Sequence, residues 1–429
     1  MSGFFVVGEK KERPGVYKRY ENAGGVEAAG ARSGVGCALV TGNWGALNTP
    51  VTIDQSTDVS NVIGAGSGYD AITAFMAGGM EECVVVRVGT GGTPATITLK
   101  DTTTSTAVDA VVLTALYPGN RAFTITVKAS LDDEAAKEAT IYEGTKALEK
   151  VTFAAGKTEV DGIVAAFANS KYVKATKKAP GNGTLADVTQ KAFTAGTNPT
   201  VNTAAYGEAA NASEAEVRDM IIVDTNDAAV HTLIATHVAR VFQEGAYTMA
   251  TVAEPSSVEI ETRMQHAAAF NDEKIHYVLN PYIGTDGVEY EGYMLAARIG
   301  GLICAGAANA SLTHTVISGA AGLKETLNSG TIKKALKSGC LVLSTSKSKQ
   351  VWIEKAINTL VTLSKDQDAG WKKIRRVKER FELMDRVEQT TEVLIGQVDN
   401  DPDGRAAVIA AAQRVVDAMV GERSFCPVL

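Results

Sequence analysis

Cysteine is sparse: Cys37, Cys83, Cys304, Cys340 and Cys426 are scattered through 429 residues, with no Cys-x-x-Cys pair and no histidine beside them. That spacing excludes a disulfide framework and a zinc knuckle, and it fits thiols kept reduced in a cytoplasm. Histidine is equally sparse. His231, His237, His266, His276 and His314 include no i, i+4 pair, so no helix face presents two imidazoles to a metal. There is no basic excess either: 42 Lys and Arg stand against 49 Asp and Glu, a net charge of -7, which is not the footprint of a nucleic-acid binder. Basic residues do gather at Lys372-Lys373-Ile374-Arg375-Arg376, but Glu379, Glu382 and Asp385 follow on the same expected helix, which reads as a solvated or interface face. Long apolar runs are missing. The richest window, 294–310, carries Arg298 and is made of Ala and Gly, so it falls short of the ~20 apolar residues a membrane span needs. It predicts a buried helix that packs closely. Phe4 to Val7 is followed at once by Glu9, Lys10, Lys11 and Glu12, which leaves no room for a signal-peptide core.

What is present is a chain long enough for two or three domains. Residues 35–41 and 83–88 read as buried strands with a helix over 69–79 between them, a β-α-β beginning. From 90 to about 202 the chain turns Thr- and Ala-rich. Alternating strand patterns at 95–100, 110–115, 122–128 and 139–142 are punctuated by Gly91-Gly92, Pro118-Gly119 and Pro180-Gly181. After Tyr206 the rhythm returns: strand 220–223, helix 228–244, strand 247–252, helix 256–270, strand 276–280, then the small-residue helix 292–308. Paired strands at 339–344 and 350–353, a long amphipathic helix over 370–391 and a last helix over 403–420 complete the pattern. The expected architecture is an α/β core with a mixed, largely parallel sheet, interrupted by a β-rich insertion. The division is an extended arm over 1–25, core over 26–90, insertion over 91–202, core again over 203–421, and a short tail over 422–429.

Tests for chemistry come back empty. Gly64-Ala65-Gly66-Ser67-Gly68 precedes a helix, but its third glycine is one place early for a dinucleotide fingerprint and no Lys follows for a P-loop. It reads as a turn and a helix start. Asp399, Asp401 and Asp403 before Gly404 mimic the opening of a calcium loop, yet the twelfth position is Ala410 and Pro402 stiffens the middle. A turn and an Asp-capped helix is the reading. No nucleophile is sequence-paired with a base, which speaks against an enzyme without disposing of triads assembled in space. Neither a catalytic residue nor a cofactor is predicted.

The first twenty residues carry the strongest signal. Pro14 fixes its own φ and pushes Arg13 into extended geometry, Gly15 permits a turn, and Val16-Tyr17-Lys18-Arg19-Tyr20 is β-prone. A lone strand needs a sheet edge, its own domain's or a neighbour's. Extended, residues 1–22 reach about 70 Å at roughly 3.3 Å per residue, enough to bridge subunits.

At this point the chain resembles the contractile tail sheath proteins of bacteriophages and phage-tail-like particles. The resemblance is carried by Arg13-Pro14-Gly15-Val16-Tyr17, by Tyr117-Pro118-Gly119-Asn120 leading into Phe123-Thr124-Ile125-Thr126-Val127, and by Ala297-Arg298-Ile299-Gly300-Gly301-Leu302 running on to Ser311-Leu312-Thr313. Ile357-Asn358-Thr359-Leu360, residues 371–374 and Asp403-Gly404-Arg405 continue it. It implies a cylinder of stacked six-fold rings around a tail tube, shortening once to drive the tube through a host envelope. The partners implied are copies of the chain, the tube protein, and baseplate and terminator proteins, with no nucleic acid and no membrane insertion. It places the protein in a virion tail made in the bacterial cytoplasm. Arg13, Pro14, Gly15, Val16, Tyr17, Lys18 and Tyr20 become the inter-subunit arm, the core packs near the tube and the insertion projects outward. The family pattern also has a β-forming tail after the last helix, where this sequence has only Arg423-Ser424-Phe425-Cys426-Pro427-Val428-Leu429. The alternative is an α/β enzyme or ligand-binding protein whose β-rich insertion acts as a specificity module.

Overall fold

The computed structural model describes Ser2–Phe4, Val16–Lys18 and residues 34–103 and 105–422. The chain separates into two units, Ser33–Val377 and a smaller one that joins Met1–Arg32 to Lys378–Leu429. The smaller unit opens with β1 (Ser2–Phe4) and β2 (Val16–Lys18), paired in parallel with Gly3 opposite Tyr17. The arm strand therefore has a partner in its own chain along one edge. Among the described residues no strand covers either outer edge of this pair. Arg13, Pro14, Gly15 and Tyr20, like the tail 423–429, lie outside the described residues.

The larger unit starts with β3 (Val35–Val40), whose six residues are all buried, as an apolar run covered on both faces of a parallel sheet must be. β4 (Pro50–Asp54) follows as an antiparallel edge, then α1 (Val59–Val62), α2 (Ser67–Met76) and β5 (Glu82–Arg87), which pairs in parallel with β3. Strand β4 escapes a sequence reading because it is short, begins at a proline and is mostly exposed, as an edge strand can afford to be.

The insertion comprises β6 (Pro94–Asp101), β7 (Val108–Pro118), β8 (Phe123–Ala129), β9 (Ala136–Glu143), β10 (Lys146–Ala154), α3 (Glu159–Ala166), β11 (Val173–Lys177) and β12 (Val188–Ala192). They form two sheets, β11-β7-β6 and β10-β9-β8-β12. Alternation along the strands sends Ile97 and Leu113 from one sheet and Ile125 and Ile141 from the other into a shared core.

The second half of the core runs through α4 (Thr203–Ala212), β13 (Met220–Val223), α5 (Ala228–Gln243), β14 (Met249–Ala253), α6 (Ile260–Phe270) and β15 (Ile275–Val278). A small sheet of β16 (Tyr282–Gly284), β17 (Glu289–Tyr290) and, after α7 (Gly292–Ala305), β18 (Ala320–Leu323) comes next. Then come α8 (Ser329–Lys337), β19 (Cys340–Leu341) and the antiparallel pair β20 (Leu343–Thr345) and β21 (Val351–Ile353). The main sheet has the order β19-β15-β14-β13-β3-β5-β4, parallel throughout except at β4. Helix α7 is the small-residue helix, and its glycines are needed for contact: a Cβ on Gly301 would stand 2.0 Å from the Phe75 carbonyl oxygen of α2.

The segment expected as one helix over 370–391 is a 3₁₀ turn, Ala369–Lys372, followed by α9 (Ile374–Glu392). Helix α10 (Pro402–Gly421) begins at Asp401, whose carboxylate caps the Gly404 N–H at 2.7 Å. Arg386 of α9 is buried and bridges Glu382 and Glu422, tying the two helices together. No helix among the described residues is long and apolar enough to cross a membrane.

Candidate functional site

In an open α/β sheet a ligand enters at the carboxyl ends of the strands, where the strand order reverses. Here the reversal falls between β3 and β13, and Thr41 and Asp224 follow directly on those strands. The crevice is filled from within. Asp224 is buried, and its Oδ2 accepts hydrogen bonds from the Thr41 N–H at 2.9 Å, the Thr41 hydroxyl at 2.6 Å and the Ser67 hydroxyl at 2.6 Å. Its Oδ1 accepts from the Tyr206 hydroxyl at 2.7 Å. Burial, then the Asp224 charge, push the Tyr206 phenol pKa up, so it remains a donor. Ser67 opens α2, so a carboxylate of the protein stands where a dinucleotide-binding fold receives phosphate. Gly68 completes the closure: a Cβ there would lie 1.9 Å from the Thr41 carbonyl oxygen, and only glycine lets α2 approach β3 so closely. The glycine run is a turn and helix start, as expected, and its tightness serves packing.

A second recess, about 400 Å³, opens beyond β14 and is lined by His231, Glu254, His266 and Tyr277 among others. Glu254 Oε2 accepts from the Tyr277 hydroxyl at 2.6 Å and lies 2.8 Å from His266 Nδ1. His231 is buried, which pushes its pKa down, and its Nε2 lies 2.9 Å from the Thr225 carbonyl oxygen, so the neutral ring donates there. The Thr232 hydroxyl, also in this recess, donates to the Ala228 carbonyl at 2.9 Å. These groups staple α6 to β15 and aim no nucleophile into the space. Among the described residues no group of three His, Cys, Asp or Glu is placed to hold a metal ion. Cys37, Cys83, Cys304 and Cys340 are all buried thiols.

The insertion meets the core through the Tyr172–Asn61 hydrogen bond and the Lys146–Asp58 ion pair, both at 3.0 Å, and through one buried aromatic side chain. Trp44, from the loop after β3, is 2% exposed and packs into the sandwich core, edge-on to Tyr117 and Phe123 with ring centroids 5.0 and 5.2 Å away. The Arg121 guanidinium sits over Trp44, Phe123 and Tyr172, and pairs with Glu143 at 2.8 Å. On the core side, Arg87 donates to the carbonyls of Gly42 and Gly45, which fixes the loop that presents Trp44. Burial lowers the Arg87 pKa to about 10, leaving it charged at neutral pH. Sequence reasoning singled out neither Trp44 nor Asp224. A polar residue directly after each of two buried strands, Thr41 and Asp224, was the available signal for the crevice.

Comparison with known proteins gives a consistent result. Two adjoining family models match, the phage tail sheath protein beta-sandwich domain over residues 90–198 and the phage tail sheath protein central domain over residues 199–359. No curated protein matches the chain. Among solved structures, a sheath tail protein from Desulfitobacterium hafniense aligns with 95% of this chain and 89% of its own, at 18% identity and a TM-score of 0.74. One from Listeria innocua aligns with 92% of this chain and 86% of its own, at 21% identity and a TM-score of 0.71. The helical sheath of the anti-feeding prophage in its contracted state aligns with 96% and 85%, at 8% identity and a TM-score of 0.53. At these identities the likeness is one of fold.

Proposed function

Because the chain belongs to the phage tail sheath protein family, we propose that it is the subunit of a contractile sheath, polymerising in stacked rings around a tail tube and shortening to drive that tube through a cell envelope. The observation that carries the reading is the unbroken match of both sheath domains over residues 90–359, on a sheet whose ligand crevice Asp224 already fills. A fold of the enzyme type with its binding crevice closed is suited to mechanical work. Heterologous contacts that do not close into a dimer propagate into helical polymers. Two packings of the same rigid surfaces, the extended one kinetically trapped, supply the stroke.

In this reading the arm residues Arg13, Pro14, Gly15, Val16, Tyr17, Lys18 and Tyr20 reach a neighbouring copy. The β1–β2 pair extends the idea: among the described residues no strand covers its outer edges, where a strand from another copy can add. The core lies toward the tube and the sandwich faces outward, held rigidly through Trp44. Tube, baseplate and terminator proteins are the partners, and the virion tail is the location. The test is sedimentation and negative-stain imaging of the purified chain. Rings, tubes or polysheaths support the proposal, and a compact soluble dimer contradicts it.

A further inference from the structure

Two recesses of opposite charge lie at opposite ends of the main sheet. The first, about 470 Å³, is lined by Ser311 and Thr313 and by Lys373, Arg375 and Arg376 at the start of α9. The first turn of α9 contains no acidic residue, so two guanidiniums add to the positive end of the helix dipole. The Lys373 pKa is lowered, by burial first and by the neighbouring Lys355 second, as expected where positive charge accumulates. Arg376 lies 3.6 Å from Asp368, and the residues lining the recess include no Asp or Glu.

The second recess, about 310 Å³, is lined by Asp54, Glu81 and Glu82 with Thr52, Ile53 and Thr57, and no Lys or Arg. All three carboxylates are exposed. Hydrogen bonds from Ser56 and Thr57 hold the Asp54 pKa low, which keeps it ionised. Strand β4, which carries Asp54, is the sheet's edge.

The two recesses cannot satisfy each other within one molecule. The basic one is lined by Ala356, and the segment that follows reaches the opposite half of the sheet, where the Thr359 N–H donates to the Ile275 carbonyl at the start of β15. Strands β15 and β4 are five strand spacings apart in the sheet. At ~4.8 Å each that is roughly 24 Å, about three Debye lengths at physiological salt. The acidic recess sits at the amino end of β5.

We propose that the acidic edge of one copy, Asp54, Glu81 and Glu82, seats in the Lys373, Arg375 and Arg376 recess of the next. The contact is head-to-tail, since the surfaces that meet are different, and a head-to-tail contact propagates. It rests on the sheath reading and names the surfaces through which neighbouring cores meet.

The test is a charge swap in the full-length chain. Glu81→Lys with Glu82→Lys, and separately Lys373→Glu with Arg376→Glu, each raise the concentration needed for assembly by about tenfold or more, and the four changes combined bring it back toward wild type. Circular dichroism and melting check that each variant is folded. Should a reversal unfold the chain, Glu82→Gln and Arg376→Gln replace it, both weakening assembly and both flattening its dependence on salt. Single reversals that assemble like wild type, or a combined variant no better than either pair, overturn the contact and leave the sheath reading standing. A wild-type chain that never polymerises overturns both.

Discussion

Thr41 and Asp224 stand 183 residues apart in sequence and meet through two hydrogen bonds to a single carboxylate oxygen, 2.9 Å from the Thr41 N–H and 2.6 Å from its hydroxyl. The carboxylate follows directly on β13, the first strand after the sandwich, and the threonine directly on β3, the first strand of the core, so the pair stitches together the two halves of a core that the insertion divides. Asp224→Ala strands three hydroxyls and a backbone N–H at once, in a buried place. Charge-assisted hydrogen bonds and orphaned donors of this kind are worth about 3 kcal/mol or more together. Urea unfolding should show that loss, with Asp224→Asn recovering part of it. A variant as stable as wild type would mean the crevice is not held shut by this group.

Gly301 faces the Phe75 carbonyl across the α2–α7 contact, and any side chain there forces the helices apart. Gly301→Val is expected to destabilise by about 3 kcal/mol or more, as overpacking against backbone does, whereas Gly322→Ala, where a Cβ meets nothing within 4 Å, costs little. Thermal melting of the two variants side by side measures the difference.

Both elements show what was legible in the sequence. Strands β3 and β5 stood out because 35–41 and 83–88 read as apolar runs, and α7 because Gly and Ala recur without charge except Arg298. Strand β10, Lys-Ala-Leu-Glu-Lys-Val-Thr-Phe-Ala, was illegible: its charges and its Ala and Leu suit a helix, and only pairing with β9 makes it a strand. The crevice closure and the oppositely charged recesses were hidden for a different reason. Asp224 meets Thr41, and Ser311 comes to line one recess with Arg376, only once the chain is folded in space.

His237 gives the molecule a measurable response to acid. Burial first, and the Arg218 guanidinium second, push its pKa from 6.5 down to about 4, and Arg218 lies 3.2 Å from its Nε2. The unfolded chain then binds a proton between those values that the folded chain does not, so this contribution is complete above pH 6.5 and is lost as pH falls toward 4. The loss is on the order of 2–3 kcal/mol. His231, whose pKa burial also lowers, acts in the same direction. Unfolding free energies at pH 7.5 and 4.5 should show a smaller difference in His237→Gln than in wild type. Equal differences would mean that His237 is not held neutral.

The Asp399 and Asp401 turn serves as a helix start. Asp401 caps Gly404, and a Cβ on Gly404 would stand 1.9 Å from the Asp399 carbonyl, so the turn is tight around its own backbone. Replacing both aspartates with Asn should keep the cap and leave melting the same with and without calcium, while Asp401→Ala costs about 1 kcal/mol. A calcium-dependent rise in the wild-type melting temperature that the Asn variant loses would show that the turn binds the ion.

The most direct test of the account is electron cryomicroscopy of the full chain beside a variant lacking residues 1–20. The account predicts long tubes from the full chain, and from the shortened one a folded protein, matched by circular dichroism, that forms none. Tubes of unchanged length and order from the shortened chain would contradict the claim that the amino-terminal arm links one subunit to the next.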